Sequence, residues 1–334
     1  MRPTSIHQPR ADRQQSRCPR SLWIASLWFA IAWAAAICPA LAEPAPSSEV
    51  PFRLLHGFAI IVPVFVNERG PYDFLLDTGS SSSALDRQLG QELQLETGKG
   101  ERIRTLVREK PIAAGATAAV NLGPISVGHL RLLVRDLDGL HKLDPGIRGV
   151  LGQDALGQAD YLIDYKRDVL NFDTAGELLD CLGGQRIPMR RLGGTVSGSP
   201  IVRTMVFDGW ARPRDLAIDT GTAAVVLFQK GGDMTAAPGF ESFVQDDEGE
   251  RQATELRQVK LQIGNGEWEL VAHTLAYHES NIQIDGLLPA SLFTRVYISG
   301  SGGFVILSPK VKHRKVVAQV TAERQQVSGS HVGR

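Results

Sequence analysis

Apolar residues in this chain come in short runs, rich in β-branched side chains and often alternating with polar ones. Examples are "FAIIVPVFVN" (58–67), "YDFLLD" (72–77), "ISVGHLRLLV" (125–134), "DYLIDY" (160–165) and "DVLNF" (168–172). Gly, Pro, Asn and Asp punctuate the runs, and no long stretch keeps a helical period. This pattern predicts an all-β protein.

The two halves of the pattern match. Asp77-Thr78-Gly79 recurs as Asp219-Thr220-Gly221, at an offset of 142 residues. The segment from Val120 is similar to that from Val259 at an offset of 139, and "RGVLGQDAL" around Gly149 is similar to "DGLLPASLF" around Gly286 at 137. Similar offsets in one order indicate an internal duplication. The expected layout is a first lobe at 51–175, an inter-lobe linker at 176–194, a second lobe at 195–308 and a polar tail at 309–334. The tail is locally basic, with Lys310, Lys312, Arg314 and Lys315, and reads as solvated chain.

Composition changes this picture at the N-terminus. Arg2, Arg10, Arg13, Arg17 and Arg20 precede the nearly uncharged run "SLWIASLWFAIAWAAAICPALA", which ends in Ala40-Leu41-Ala42. A basic start, an apolar middle and small residues at the exit predict a signal peptide over 1–42 and a periplasmic or secreted protein. The same run approaches spanning length, so an uncleaved membrane anchor is the alternative reading. Removing five arginines and Asp12 from 36 basic and 36 acidic residues leaves 31 against 35. A mature chain at −4 gives no case for a nucleic-acid partner. Cys18 and Cys38 fall in the leader, which leaves Cys181 by itself and no intrachain disulfide.

Each Asp-Thr-Gly stands at the end of an apolar run. Taken singly it is a serviceable turn, with Asp accepting a local hydrogen bond and Gly relaxing the backbone. Two copies at equivalent places in a duplicated unit suggest more. Lobes related by an approximate twofold axis can bring equivalent loops together at that axis. Two carboxylates so placed cannot both ionise cheaply and share one proton, which makes one a base and the other an acid. Such a pair can direct water at a peptide carbonyl without a covalent intermediate.

"LLDTGSS" and "AIDTGT", with "GVLG" and "DGLL" behind them, resemble the two active-site halves of an aspartic protease of the pepsin/retropepsin clan. The stretch "GVLGQDALGQADYLIDYKRDVLNF" resembles the end of a bacterial retropepsin-like domain. The resemblance implies a bilobal, pepsin-like fold of two β-barrel lobes, with Asp77 and Asp219 as the catalytic pair. It implies that Thr78 and Thr220 interlock the loops, that Gly79 and Gly221 permit close approach, and that the hydroxyls of Ser80 and Thr222 donate to the carboxylates. That donation would lower the pKa and give an acidic optimum. An extended peptide or unfolded protein would be the substrate, a monomer would suffice, and neither metal nor organic cofactor is implied.

Three features depart from the family pattern. Pro289 stands where the first lobe has Gly152, and no tyrosine lies between Thr97 and Val120, where a pepsin-like flap carries one. The stretch "EKPIAAGATAA" (109–119) is the flap candidate. Finally, the interval between the expected cleavage point and the first strand is too short for a pepsin-type inhibitory segment. A catalytically inactive module binding a peptide or an envelope protein is therefore the alternative. A chain offering two independent half-sites is a third reading. His273 and His278 suit no metal motif, and "GSGG" at 300–303 reads as a hairpin turn. Asp164 and Asp168 read as hairpin-end charges, and "GPYD" and "DGW" as turns before the two motifs.

Overall fold

The computed structural model describes residues 48–98, 101–104, 109–112, 115–174, 176–194, 198–229, 240–245, 249–276 and 283–310. The expected signal peptide with Cys18 and Cys38, His278, and the tail beyond Lys310 lie outside the described residues. The chain enters through β1 (Glu49–Pro51) and β2 (Arg53–Leu55), followed by β3 (Ala59–Val66), β4 (Arg69–Leu76) and β5 (Ala84–Asp86). A hairpin of β6 (Glu101–Arg104) and β7 (Glu109–Ile112) precedes β8 (Gly115–Leu122), β9 (Ile125–Arg135) and β10 (Ile147–Leu151). Strands β3, β4, β10, β5, β9 and β8 pair in that order, and β8 returns to β3 to close a six-strand barrel.

Next come β11 (Asp160–Asp164), β12 (Val169–Asp173) and β13 (Arg186–Arg191). The second lobe repeats the first with β14 (Pro200–Phe207), β15 (Ala211–Asp219), β16 (Val225–Gln229), β17 (Phe240–Gln245), β18 (Arg251–Ile263), β19 (Gly266–Ala276) and β20 (Gly286–Pro289). Its barrel runs β14, β15, β20, β16, β19, β18 and closes through β14–β18. Finally β21 (Phe293–Ser299) and β22 (Phe304–Pro309) join β1, β12, β11 and β13 in a sheet that both lobes share. The protein is thus all-β in two closed six-strand barrels, as the repeat predicts.

Alternation in the sequence becomes alternation in burial. In β14 the pattern from Pro200 turns Val202, Thr204 and Val206 into the barrel while Arg203 faces out. The core runs without a break from Ile60, Val62 and Phe74 of one barrel, through Tyr161, Phe172 and Ile298 of the shared sheet, to Val202, Leu216 and Leu261 of the other. Burying each aliphatic side chain of this kind contributes about 2 kcal/mol.

Strand register tests the repeat residue by residue. In the first lobe Phe74, Leu75 and Leu76 pair in parallel with Gly149, Val150 and Leu151. In the second, Leu216, Ala217 and Ile218 pair with Gly286, Leu287 and Leu288. Offsets of 142 and 137 therefore hold. The offset of 139 does not: Leu122 meets Ile125 across one turn, and Ile263 meets Gly266 across its counterpart, so the hairpins correspond at 141. Sliding a strand by two residues leaves every side chain on its own face, so the hydrophobic pattern could not detect the slip.

Other expectations change in detail. The linker stretch holds a short helix (Leu178–Cys181), with Cys181 exposed, and then β13, which lies between β22 and β14 and buries Ile187. Lys310, expected in solvent, sets its ammonium 5.8 Å from the centre of the Tyr165 ring. "GPYD" belongs to β4, and the turn before it falls at Asn67 and Glu68, both at positive φ. As expected, "GSGG" is the turn between β21 and β22, and Asp164 ends β11 at its hairpin, where it is buried and paired with Arg295 at 2.8 Å. Within 109–119, residues 109–112 form β7 and 115–119 open β8, while 113–114 lie outside the described residues.

Candidate active site

Strands β4 and β15 deliver the two Asp-Thr-Gly loops to the boundary between the lobes. Behind each loop the partner strand continues the ladder: the Asp77 N–H donates to the Leu151 carbonyl at 2.9 Å, and Asp219 pairs with Pro289. The loops then clasp each other. The Thr78 N–H donates to Thr220 Oγ1 at 3.0 Å, and the Thr220 N–H to Thr78 Oγ1 at 3.1 Å. Each hydroxyl donates onward into the opposite strand, Thr78 to the Ile218 carbonyl at 2.8 Å and Thr220 to the Leu76 carbonyl at 2.6 Å. Both threonines are fully buried, so these four bonds satisfy groups that water cannot reach.

This clasp brings the glycines against the carboxyl groups. A Cβ built on Gly79 would lie 2.6 Å from Cγ of Asp219, and one on Gly221 would lie 3.1 Å from Cγ of Asp77. That Gly221 Cβ would also lie 3.2 Å from Asp219 Oδ1, so the two carboxyl groups stand beside each other. The Gly79 and Ser80 N–H groups donate to Asp77 Oδ1 at 2.8 and 3.1 Å, and the Gly221 N–H donates to Asp219 Oδ1 at 2.6 Å. Asp77 is half-buried, whereas Asp219 is 7% exposed. Burial pushes Asp219 well above the usual carboxylate range, and the neighbouring Asp77 charge pushes the same way. The Gly221 and Thr222 N–H groups pull against them.

Ser80 and Thr222 behave differently from the family expectation. Ser80 Oγ donates to the Ser82 carbonyl at 2.8 Å and Thr222 Oγ1 to the Ala224 carbonyl at 3.1 Å. Each hydroxyl closes a tight local turn, where a carbonyl two residues on is in easy reach. The carboxylates take backbone N–H groups instead.

The swap of Gly152 for Pro289 is matched by a second difference. In the first lobe the Gly152 N–H donates to Ser83 Oγ at 2.9 Å, and Ser83 donates to Asp154 Oδ1 at 2.6 Å. In the second lobe Val225 occupies the place of Ser83, so the acceptor is gone where Pro289 has removed the donor. Neither loop is left with an unpaired buried N–H at this point. Asp154 is pushed up by burial, against the bonds it accepts from Ser83 and the Ala155 N–H.

Three further residues around the Asp77 loop carry no signal in the sequence: Gln153, Arg191 and Ser199. Arg191 donates to the Gln153 side chain and Ser199 to the Gly79 carbonyl. Their partners lie 38 and 120 residues away, so no local pattern announces them.

Residues 62–155 match a protein family described as aspartyl protease. The match runs from β3 past β10, and so takes in Asp77, Ser83, Gly152 and Asp154 while Asp219 falls outside it. It supports an aspartyl protease of the retropepsin-like kind, and the two closed barrels are consistent with a two-lobe retropepsin-like all-β fold. No curated protein matches the chain.

Proposed function

We propose that the protein is an aspartic endopeptidase whose catalytic pair is Asp77 and Asp219. The observation that carries this reading is the juxtaposition of the two carboxyl groups across the reciprocal threonine clasp. Asp219, the more deeply buried, holds the shared proton, because a charge is costlier there. Asp77, closer to solvent, is the base. It takes a proton from a bound water as the water oxygen attacks the peptide carbonyl, and Asp219 gives its proton to the carbonyl oxygen. The resulting gem-diol collapses: the C–N bond breaks, the amine leaves with the proton from Asp77, and one gem-diol hydroxyl returns a proton to Asp219. The chemistry needs only water and these two groups.

The substrate on this reading is an extended peptide or an unfolded protein lying between the lobes. Both half-sites belong to one chain, so a monomer is competent. The basic, apolar leader makes a periplasmic or secreted setting part of the same proposal.

The test is cleavage of a denatured protein mixture from about pH 3 to about pH 7, with Asp77→Asn and Asp219→Asn alongside. Loss of cleavage in both variants is the expected result. A folded, unmutated chain that cleaves nothing overturns the reading in favour of a peptide-binding module.

A further inference from the structure

The two Asp-Thr-Gly loops are alike in sequence, but side chains from beyond the first barrel grip the first. Ser199, 1% exposed and just ahead of β14, donates its hydroxyl to the Gly79 carbonyl at 2.6 Å. Gln153, fully buried, donates its backbone N–H to the Ser80 carbonyl at 2.9 Å. The Gln153 side chain is fixed in turn: its oxygen accepts from Arg191 Nη1 at 2.9 Å and its nitrogen donates to Tyr161 Oη at 2.8 Å. Arg191 Nη1 also donates to the Gly198 carbonyl at 3.2 Å, beside Ser199. Arg191 and Ser199 both belong to the passage from one barrel to the next.

Register identifies the counterparts. Ile201 pairs with Ala217 as Ile61 pairs with Leu75, so Ser199 corresponds to Ala59. Gln153 follows Gly152 as Ala290 follows Pro289. Neither alanine has a side-chain donor or acceptor, so the side-chain bonds of this hold, Ser199 to the Gly79 carbonyl and Arg191 to Gln153, have no equivalent at the Asp219 loop. The groups that are held matter, because Gly79 and Ser80 supply the two N–H donors aimed at Asp77 Oδ1. Catalytic groups keep their geometry only when the residues behind them are locked.

We infer that Ser199 and the Arg191–Gln153 pair are positioning residues for Asp77, through which the start of the second lobe sets the orientation of the first lobe's carboxylate. The inference deepens the protease reading and rests on it only for its kinetic consequence. In that reading the externally held carboxylate is the one that must meet the attacking water, where a small misplacement costs rate and not affinity.

The test uses the full chain carrying Ser199→Ala. On an unfolded protein substrate kcat is expected to fall about tenfold with KM within about twofold. Amide hydrogen exchange is expected to quicken in residues 77–83 and to stay unchanged in 219–225, so that each loop serves as the control for the other. An equal quickening in both loops, or an unchanged kcat, overturns the inference. If Ser199→Ala does not fold, Arg191→Lys, which keeps the charge but loses the planar fork, is read by the same criteria. If the unmutated protein cleaves nothing, the exchange comparison decides by itself. Failure of the protease reading is thereby told apart from failure of this one.

Discussion

Thr78 and Thr220 make the same bonds to each other: each hydroxyl accepts the other's N–H and donates to the carbonyl two residues before the other. The bonds join the two lobes through residues that stand 142 apart in sequence. They are what holds two acidic side chains together against their own repulsion.

Replacing Thr78 by valine keeps the shape and removes the hydroxyl. The Ile218 carbonyl and the Thr220 N–H then lose their partners inside the protein, a cost of about 3 kcal/mol for two buried groups. Urea unfolding should show that loss, and Thr78→Ser should recover most of it. A valine variant as stable as the parent would mean that water replaces the hydroxyl.

The glycines predict an asymmetric response. Alanine at Gly79 must displace the Asp219 carboxyl, where the added carbon would come within 2.6 Å of Cγ, while at Gly221 the corresponding approach is 3.1 Å. On the protease reading, kcat/KM should fall by about a hundredfold or more in Gly79→Ala and by clearly less in Gly221→Ala. Equal losses would mean that the two glycines stand equally close to the opposite carboxyl groups.

Asp219 predicts how stability depends on pH. Its proton is held more tightly in the folded chain than in the unfolded one. Such a group contributes stability below its unfolded value, about 3.9, and that contribution is lost as pH rises through the folded value. Asp219→Asn removes the cost of a buried charge, so it should melt above the parent at neutral pH. The gap should narrow as the solution is acidified. A gap that is constant with pH would show that the aspartate is not under electrostatic stress.

Ser83 predicts which parts of the first lobe are interchangeable with the second. Ser83→Val copies the second lobe but strands the Gly152 N–H and removes the hydroxyl donor to Asp154, for a loss of about 3 kcal/mol. The backbone donor from position 83 to Asp154 stays only if the loop keeps its place. Adding Gly152→Pro should not rescue the variant, because a Cβ there would stand 2.8 Å from the Ser82 carbonyl carbon. Recovery in the double variant, read from melting curves, would refute this account of the swap.

The fold class and the repeat are readable in the sequence because both are written locally, in alternation along a strand and in Asp-Thr-Gly with its apolar lead-in. The juxtaposition of Asp77 and Asp219 follows from twofold reasoning, since equivalent loops meet at an axis. The hydroxyls of Ser80 and Thr222 depart from expectation because a nearby carbonyl competes for the same proton. β13 is hidden by its arginines: only Ile187 and Met189 alternate, too short a run to announce a strand. Gln153, Arg191 and Ser199 are invisible for a different reason, since their partners are set by the packing of three separate segments.

The pairing of Leu162 with Tyr297, where β11 meets β21 in the shared sheet, limits how the molecule can be divided. The strand pairs β11–β12 and β21–β22 each follow a different barrel, yet each is the other's neighbour. A cut in the passage between the barrels would leave each fragment with a bare row of backbone donors and acceptors, open to any passing strand. The repeat is therefore no longer modular. Half of this chain made by itself would be an aggregation-prone remnant, and splitting or exchanging the lobes requires that β11 and β21 be supplied together.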